Sequence, residues 1–381
     1  MKVLIAMDSF KGSLSSIEGS AAITAGIKEV YQYADIKVLP LADGGEGTVE
    51  AIVKATGGKL FTIPVTGPLH EEVSAIYGIL GDQKTAVIEI AAACGLPLIP
   101  DEQRNPLITT SYGVGELIID AIEKGCQDFI IGLGGSATND GGVGMLQALG
   151  FRFLDSNGKQ VDSGGQALKD IRQIGDKSVH PAVKKATFKV ACDVTNPLFG
   201  EKGAAYIFGP QKGASPEMVL ELDQGLRNLA KVVAEEFDRD IHSIEGAGAA
   251  GGLGAAFLGF LQAELNSGIE LILESIGMKE QIQGMDIVIT GEGKLDGQTS
   301  MGKTAMGVAQ MAEKQGVPVI ALAGSVTEEA ADLNDLGITS YFSIMTKPMS
   351  LVEAINPKTA MINLQVTTAQ LFRLIKKMKK V

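Results

Sequence analysis

Residues 3–7, VLIAM, form an unbroken apolar run of the kind a strand shows when both its faces are covered. DSFKGSLSSIE follows, with Ser15 and Glu18 spaced as a capping box, which predicts a helix through about residue 32. The same order returns in IKVLPLADGGEGTVEAIVKATGG: an apolar run, a glycine-rich loop with two acids, then a helix stopped by Gly57 and Gly58. From about residue 60 the texture changes. FTIPVTG, EEVSAIYGIL and KTAVIEIA are short apolar runs with no room for helices between them, so they predict antiparallel pairing. SYGVGELIIDAIEKG places Val114, Leu117, Ile118, Ala121 and Ile122 on one helical face, stops at Gly125 and feeds the strand DFIIGL. GGSATNDGGVGMLQALG then enters a helix through a glycine-rich loop, and the strand FKVACDV runs into DVTNPLFG. Residues 215–238 carry the clearest helix, with Ser215 as N-cap, Pro216 in the first turn, and a stripe of Met218, Leu222, Leu226, Leu229, Val233 and Phe237 that reads as core.

MDIVIT at 285–290 returns to the buried-strand texture of the first sixty residues, followed by a helix over 302–315 and the buried run VPVIALAG. The expected fold is therefore α/β with two domains. Residues 1–60 and 284–381 make a discontinuous Rossmann- or flavodoxin-like parallel α/β domain, and 61–283 make an inserted mixed α/β domain. No fixed-period repeat interrupts this reading.

Composition narrows the function. The chain has 381 residues, 45% of them apolar, enough for two cores, and its 48 glycines suit many tight strand-to-helix turns. A formal charge of −12 repels a nucleic-acid backbone, and the terminal KKMKK reads as a solvated helix end. Three scattered cysteines suggest a reduced, cytoplasmic protein rather than a disulfide framework. The start MKVLIAMDSFK has too short an apolar stretch for a signal segment, and no run is long enough to span a membrane.

Two glycine motifs invite misreading. GQTSMGKT at 297–304 fits the phosphate-loop pattern, but the expected strand ends at Thr290, and the next buried strand ends in Ala-Gly rather than in a magnesium-binding acid. Lys303 and Thr304 would still open a helix whose amides favour an anion. GAGAAG at 246–251 fits a dinucleotide fingerprint but follows a helix end instead of a strand, which favours close backbone packing. A nicotinamide-dependent dehydrogenase built on that loop, or a binding protein for small acids without catalysis, are the competing classes.

A distributed pattern carries more. MDSFKGS, LADGGEGT, GLGGSATNDGG and TGEGKLDGQT each set a glycine-rich loop with acids at the end of a buried strand, where open parallel sheets bind ligands. Glycine amides approach phosphate, lysines neutralise it, and carboxylates hold Mg²⁺ or take a hydroxyl proton. The candidates for catalysis are Asp8, Lys11, Asp43, Asp193, Lys294 and Asp296. Phosphate or nucleotide contacts fall to Gly134, Gly135, Ser136, Thr138, Asn139, Gly291, Gly293, Gln298, Thr299 and Lys303. Glu46, Asp140 and Glu292 are the metal candidates. His70, His180 and His242 lack ligand-spaced partners, so a base would be a carboxylate, as phosphoryl transfer permits.

Read together, DSFKGSLS (8–15), ADGGEGT (42–48), SYGVGEL (111–117), LGGSATNDGG (133–142), CDVTNPLFG (192–200), GAGAAGGLG (246–254) and TGEGKLDGQT (290–299) resemble the bacterial glycerate kinase family across nearly the whole chain. The resemblance implies ATP-dependent phosphorylation of D-glycerate, ATP and Mg²⁺ as cofactors, and a cleft between two α/β domains. It leaves the phosphorylated hydroxyl open, with 2-phosphoglycerate favoured. It also leaves the oligomeric state open, a homodimer being one candidate.

Overall fold

The computed structural model describes residues 1–41, 48–297, 299 and 304–378. The chain divides into two compact units, Met1–Ala55 with Ile269–Val381, and Thr56–Gly268.

In the first unit five parallel strands lie in the order Ser340–Ser343, Val319–Val326, Ile287–Leu295, Lys2–Met7, Asp35–Pro40. Numbered along this unit the order is 5-4-3-1-2, the flavodoxin-like doubly wound arrangement. Val3 to Met7 are all fully buried, as their apolar run predicts, and each of Val3, Leu4, Ile5 and Met7 contributes about 1.5–3 kcal/mol relative to exposure. The helix Ser16–Lys28 starts at the expected capping box: Ser15 Oγ accepts the Glu18 N–H at 3.2 Å and Glu18 Oε2 accepts the Ser15 N–H at 2.9 Å. Gly26 lets that helix lie against Pro357–Met378, since a Cβ there would meet Gln365 O at 2.4 Å.

One strand is longer than its sequence suggests. Ile287–Leu295 does not stop at Thr290 but stays paired with Val319–Val326 through Lys294↔Ser325 and Leu295↔Val326. A Cβ at Gly291 would strike Leu322 O at 2.3 Å, so glycine permits this close strand contact. The sequence between 291 and 295 looks like a loop because of its glycines, yet inter-strand hydrogen bonding overrides that composition.

In the second unit six strands lie in the order Glu264–Asn266, Thr187–Ala191, Asp128–Gly132, Thr85–Glu89, Glu72–Ile79, Lys59–Thr66. The last three pair antiparallel, as their tight spacing predicts, and the rest are parallel. The helix Tyr112–Glu123 buries the expected face, Val114, Leu117, Ile118, Ala121 and Ile122. Ser215 Oγ accepts the Met218 N–H at 3.3 Å and opens the helix Pro216–Phe237.

The chain returns to the first unit at Ile269, earlier than the boundary drawn at 284 from texture. The helix Gly268–Ser275 is the reason: a Cβ on Gly307, in the helix Thr304–Glu313, would meet Ile269 Cγ1 and Leu273 Cδ1, each at 2.8 Å. Among the described residues, no helix is long and apolar enough to cross a membrane.

Candidate active site

The first unit presents its chemistry where the strand order reverses, between Lys2–Met7 and Ile287–Leu295. Carboxyl ends of strands at such a switch point form the ligand crevice of open α/β sheets. Asp8 follows the first strand directly, is 6% exposed, and donates its N–H to Gly291 O at 2.9 Å. Its Oδ1 accepts the Ser9 N–H at 2.6 Å. The chain then reverses: Phe10 and Leu14 exchange backbone hydrogen bonds at 2.8 and 3.0 Å, with Gly12 at φ +76 between them, and Lys11 stands exposed at the tip.

Across the switch point the extended strand sorts its residues by alternation. Gly291, Gly293 and the fully buried Leu295 share one face, while Glu292 and Lys294 share the other. A Cβ on Gly293 would come within 3.6 Å of Lys11 N, so these two segments approach backbone to backbone. Lys294 Nζ pairs with Asp296 Oδ2 at 2.9 Å, and the Asp296 N–H donates to Thr299 Oγ1 at 3.2 Å. The structure therefore brings together Asp8, Lys11, Gly291, Glu292, Gly293, Lys294, Asp296 and Thr299.

In the second unit the loop 133–142 follows the strand Asp128–Gly132. Gly134 and Gly135 are exposed, and a Cβ on Gly134 would meet nothing within 4 Å. The chain then turns inward, and Thr138, Asn139 and Asp140 are fully buried. Asp140, expected to bind metal, supports the loop instead. Its Oδ2 accepts the Ser111 N–H and hydroxyl, each at 2.8 Å, and the Gly144 N–H at 3.3 Å; its Oδ1 accepts the Gly142 N–H at 3.1 Å. Burial pushes the Asp140 carboxyl above its usual range against the pull of these donors. Both polar atoms of Asn139 are buried without a partner among the described residues, at a position expected to touch cofactor.

Beneath the loop lies a residue the sequence does not point to. Lys212, at the end of the short 3₁₀ turn Pro210–Lys212, is 2% exposed and donates to Ser136 Oγ at 2.8 Å and Thr138 O at 2.7 Å. Burial pulls its pKa down to about 8, with buried Cys94 and Asp140 acting in the opposite sense. Burial likewise pushes the Cys94 thiol up to about 12. Nothing in GPQKGAS separates this lysine from an ordinary turn residue. Asp193, expected to be catalytic, is exposed, and its Oδ1 accepts the Gly268 N–H at 3.2 Å.

GAGAAG is packing rather than a fingerprint. A Cβ on Gly251 would strike Thr138 O at 2.0 Å, and one on Gly248 would strike Pro197 O at 2.3 Å. Three of the glycine motifs thus interlock, 133–142 with 192–200 and 246–254, because only glycine permits such approach. In GQTSMGKT, Gly297 follows its strand closely, and the neighbouring strand Val319–Val326 ends without an acid of its own but is followed by Glu328 and Glu329, with Glu329 Cβ 3.8 Å from where a Cβ on Gly297 would lie. Of the expected site residues, Asp43, Glu46, Gln298 and Lys303 lie outside the described residues. Among the described residues, no three His, Cys, Asp or Glu side chains group to hold a metal. His242 stacks on Phe199 with ring centroids 3.6 Å apart, and His70 Nε2 meets Ser163 Oγ at 2.7 Å.

The whole chain has close relatives. It is 50% identical to the glycerate 2-kinase of Escherichia coli (strain K12) over 354 residues, 93% of each chain. It is 49% identical to the glycerate kinase of Bacillus subtilis (strain 168) over the same length and share. A crystal structure of a candidate glycerate kinase 2 from Salmonella typhimurium LT2 superposes with a TM-score of 0.91 at 44% identity, covering both chains fully. The model of the glycerate kinase family matches residues 3–376, and the chain belongs to that family.

Proposed function

We propose that this chain, an ATP-dependent kinase by its family, transfers the γ-phosphoryl group of ATP to O2 of D-glycerate, giving 2-phosphoglycerate and ADP. The observation that carries the reading is the switch point of the first unit, where Asp8 and Lys11 adjoin Gly291–Asp296 across paired strands. Phosphoryl transfer asks a protein mainly for positioning and charge neutralisation, and this edge offers both. Lys11 and Lys294 supply positive charge for the phosphates, and the open backbone at Gly293, where a side chain would meet Lys11 N, lets them approach closely. Asp8 and Asp296 are the candidates to accept the hydroxyl proton. The exposed amides of Gly134 and Gly135 in the second unit are open to an anion.

Magnesium is expected to enter with ATP. It commonly uses one or two carboxylates with substrate phosphates and waters, so a site without three grouped protein ligands fits it. Glu292 would hold it, together with whichever of Asp8 and Asp296 does not take the hydroxyl proton, and it would neutralise charge on the phosphoryl oxygens. The preference for O2 rests on the Escherichia coli relative, whose name is glycerate 2-kinase.

A coupled ADP-release assay over D-glycerate, L-glycerate, lactate and glycolate, followed by phosphorus NMR of the product, tests this. ADP release with D-glycerate and a 2-phosphoglycerate signal are expected. A 3-phosphoglycerate signal would overturn the regiochemistry alone, and ADP release with none of the acids would overturn the function.

A further inference from the structure

The first unit contains a cavity of about 490 Å³ whose two walls differ in chemistry. One wall, Phe10, Lys11, Gly293 and Gly324, borders the switch point; the other, from Met345 to Ile355, lies beyond the edge strand Ser340–Ser343. The far wall is apolar, with Met345, Met349, Leu351 and Ile355. Gly324 keeps the near wall tight, since a Cβ there would meet Gly293 O at 2.7 Å and Phe10 Cδ1 at 3.8 Å. A buried carboxamide also lines the cavity. Asn363, 5% exposed, accepts the Thr346 hydroxyl at Oδ1 at 3.0 Å, while its Nδ2 reaches Met349 Sδ at 4.0 Å, a weak contact.

We propose that this cavity holds the adenine base of ATP, with the triphosphate leading past Lys11 to Asp8 and Gly291. The proposal rests on the reading of the chain as an ATP-dependent kinase. The size falls within the roughly 300–1,000 Å³ of small-molecule sites, which are largely apolar with a few polar groups that set orientation. Glycerate has a carboxylate and two hydroxyls on three carbons and no apolar face for the methionine wall. A purine has two flat apolar faces, which thioethers contact favourably and adapt to, and a polar edge that a carboxamide can read. The nucleotide would then lie along the carboxyl ends of neighbouring parallel strands, base at one end and phosphates at the reversal of strand order.

The test uses Ala354→Trp, which fills the cavity beside the helix Leu351–Ala354, and Leu351→Ser, which removes an apolar contact at a side chain 75% exposed and so spares the fold. Inorganic tripolyphosphate, which has phosphates and no base, serves as competitive inhibitor against ATP. The KM for ATP is expected to rise roughly tenfold in Ala354→Trp and about threefold in Leu351→Ser. The inhibition constant of tripolyphosphate and the KM for glycerate should stay within about twofold. An unchanged KM for ATP in both variants, with wild-type turnover intact, would put the base elsewhere and leave the kinase reading standing. Equal losses of ATP and tripolyphosphate affinity would also overturn the base site. Absence of ATP turnover in the wild type would end the kinase reading and this inference together.

Discussion

The loop 133–142 and the segment 287–299 have the same texture, a buried parallel strand followed by glycines and acids, and they do different things. In the first, the strand ends at Gly132 and the chain turns inward, so Asp140 is fully buried beneath four donated hydrogen bonds. In the second, the strand continues to Leu295, and alternation carries Glu292 and Lys294 to one face. Lys294 keeps 57% of its side chain exposed and Asp296 keeps 18%. Where the strand stops decides whether an acid supports the scaffold or stays at the strand edge proposed to meet a ligand. Composition alone does not make that distinction.

The contrast breaks most sharply at its two aspartates. Asp140→Ala strands the N–H groups of Ser111, Gly142 and Gly144 in a buried site, and should cost roughly 3–5 kcal/mol in urea unfolding. Asp296→Asn should leave the urea midpoint nearly unchanged and lower kcat by about a hundredfold, the scale of a lost proton acceptor. If Asp296→Asn unfolded readily and Asp140→Ala did not, the assignment of scaffold and site would be reversed.

Much of the scaffold was legible in the sequence. Apolar runs marked the strands, Ser15 with Glu18 and Ser215 marked helix starts, and tight spacing marked the antiparallel strands, because each is a local pattern with a local cause. What escaped depends on partners distant in sequence. The strand past Thr290 exists because Val319–Val326 pairs with it, whatever its glycines suggest. The burial of Lys212 depends on a loop 76 residues earlier at Ser136. Asp140 looked like Asp296 because the Ser111 that holds it lies in another motif. The first-unit edge was legible as a group, since strand ends in a parallel sheet share one side, but which acid was structural was not.

Lys212 sharpens the comparison through pH. Its pKa is held at about 8 by burial, against a usual 10.5, so the folded state binds fewer protons than the unfolded state between these values. The burial penalty is therefore fully present below about pH 8 and fades as pH rises toward 10.5. Lys212→Met has no such group. Wild-type stability minus that of Lys212→Met should increase by about 2 kcal/mol between about pH 7.5 and about pH 9.5 in urea titrations. A difference that fell with pH would mean that the buried amine keeps its charge and that its neighbours stabilise it.

Lys294, like Asp296, is expected to matter little to stability. Its ion pair with Asp296, 2.9 Å long, holds a lysine whose side chain is more than half exposed, and water screens such pairs until they contribute little. Lys294→Met should thus move the unfolding free energy by about 0.5 kcal/mol or less. The same change removes a positive charge from the edge proposed to face phosphate, so kcat/KM for ATP should fall roughly tenfold, with less effect on the KM for glycerate. Raising ionic strength should narrow the gap between wild type and variant, because an exposed charge acts through a screened field. A stability loss as large as that of Asp140→Ala would show that the pair is part of the scaffold, and the line between the two regions would have to be redrawn at Leu295.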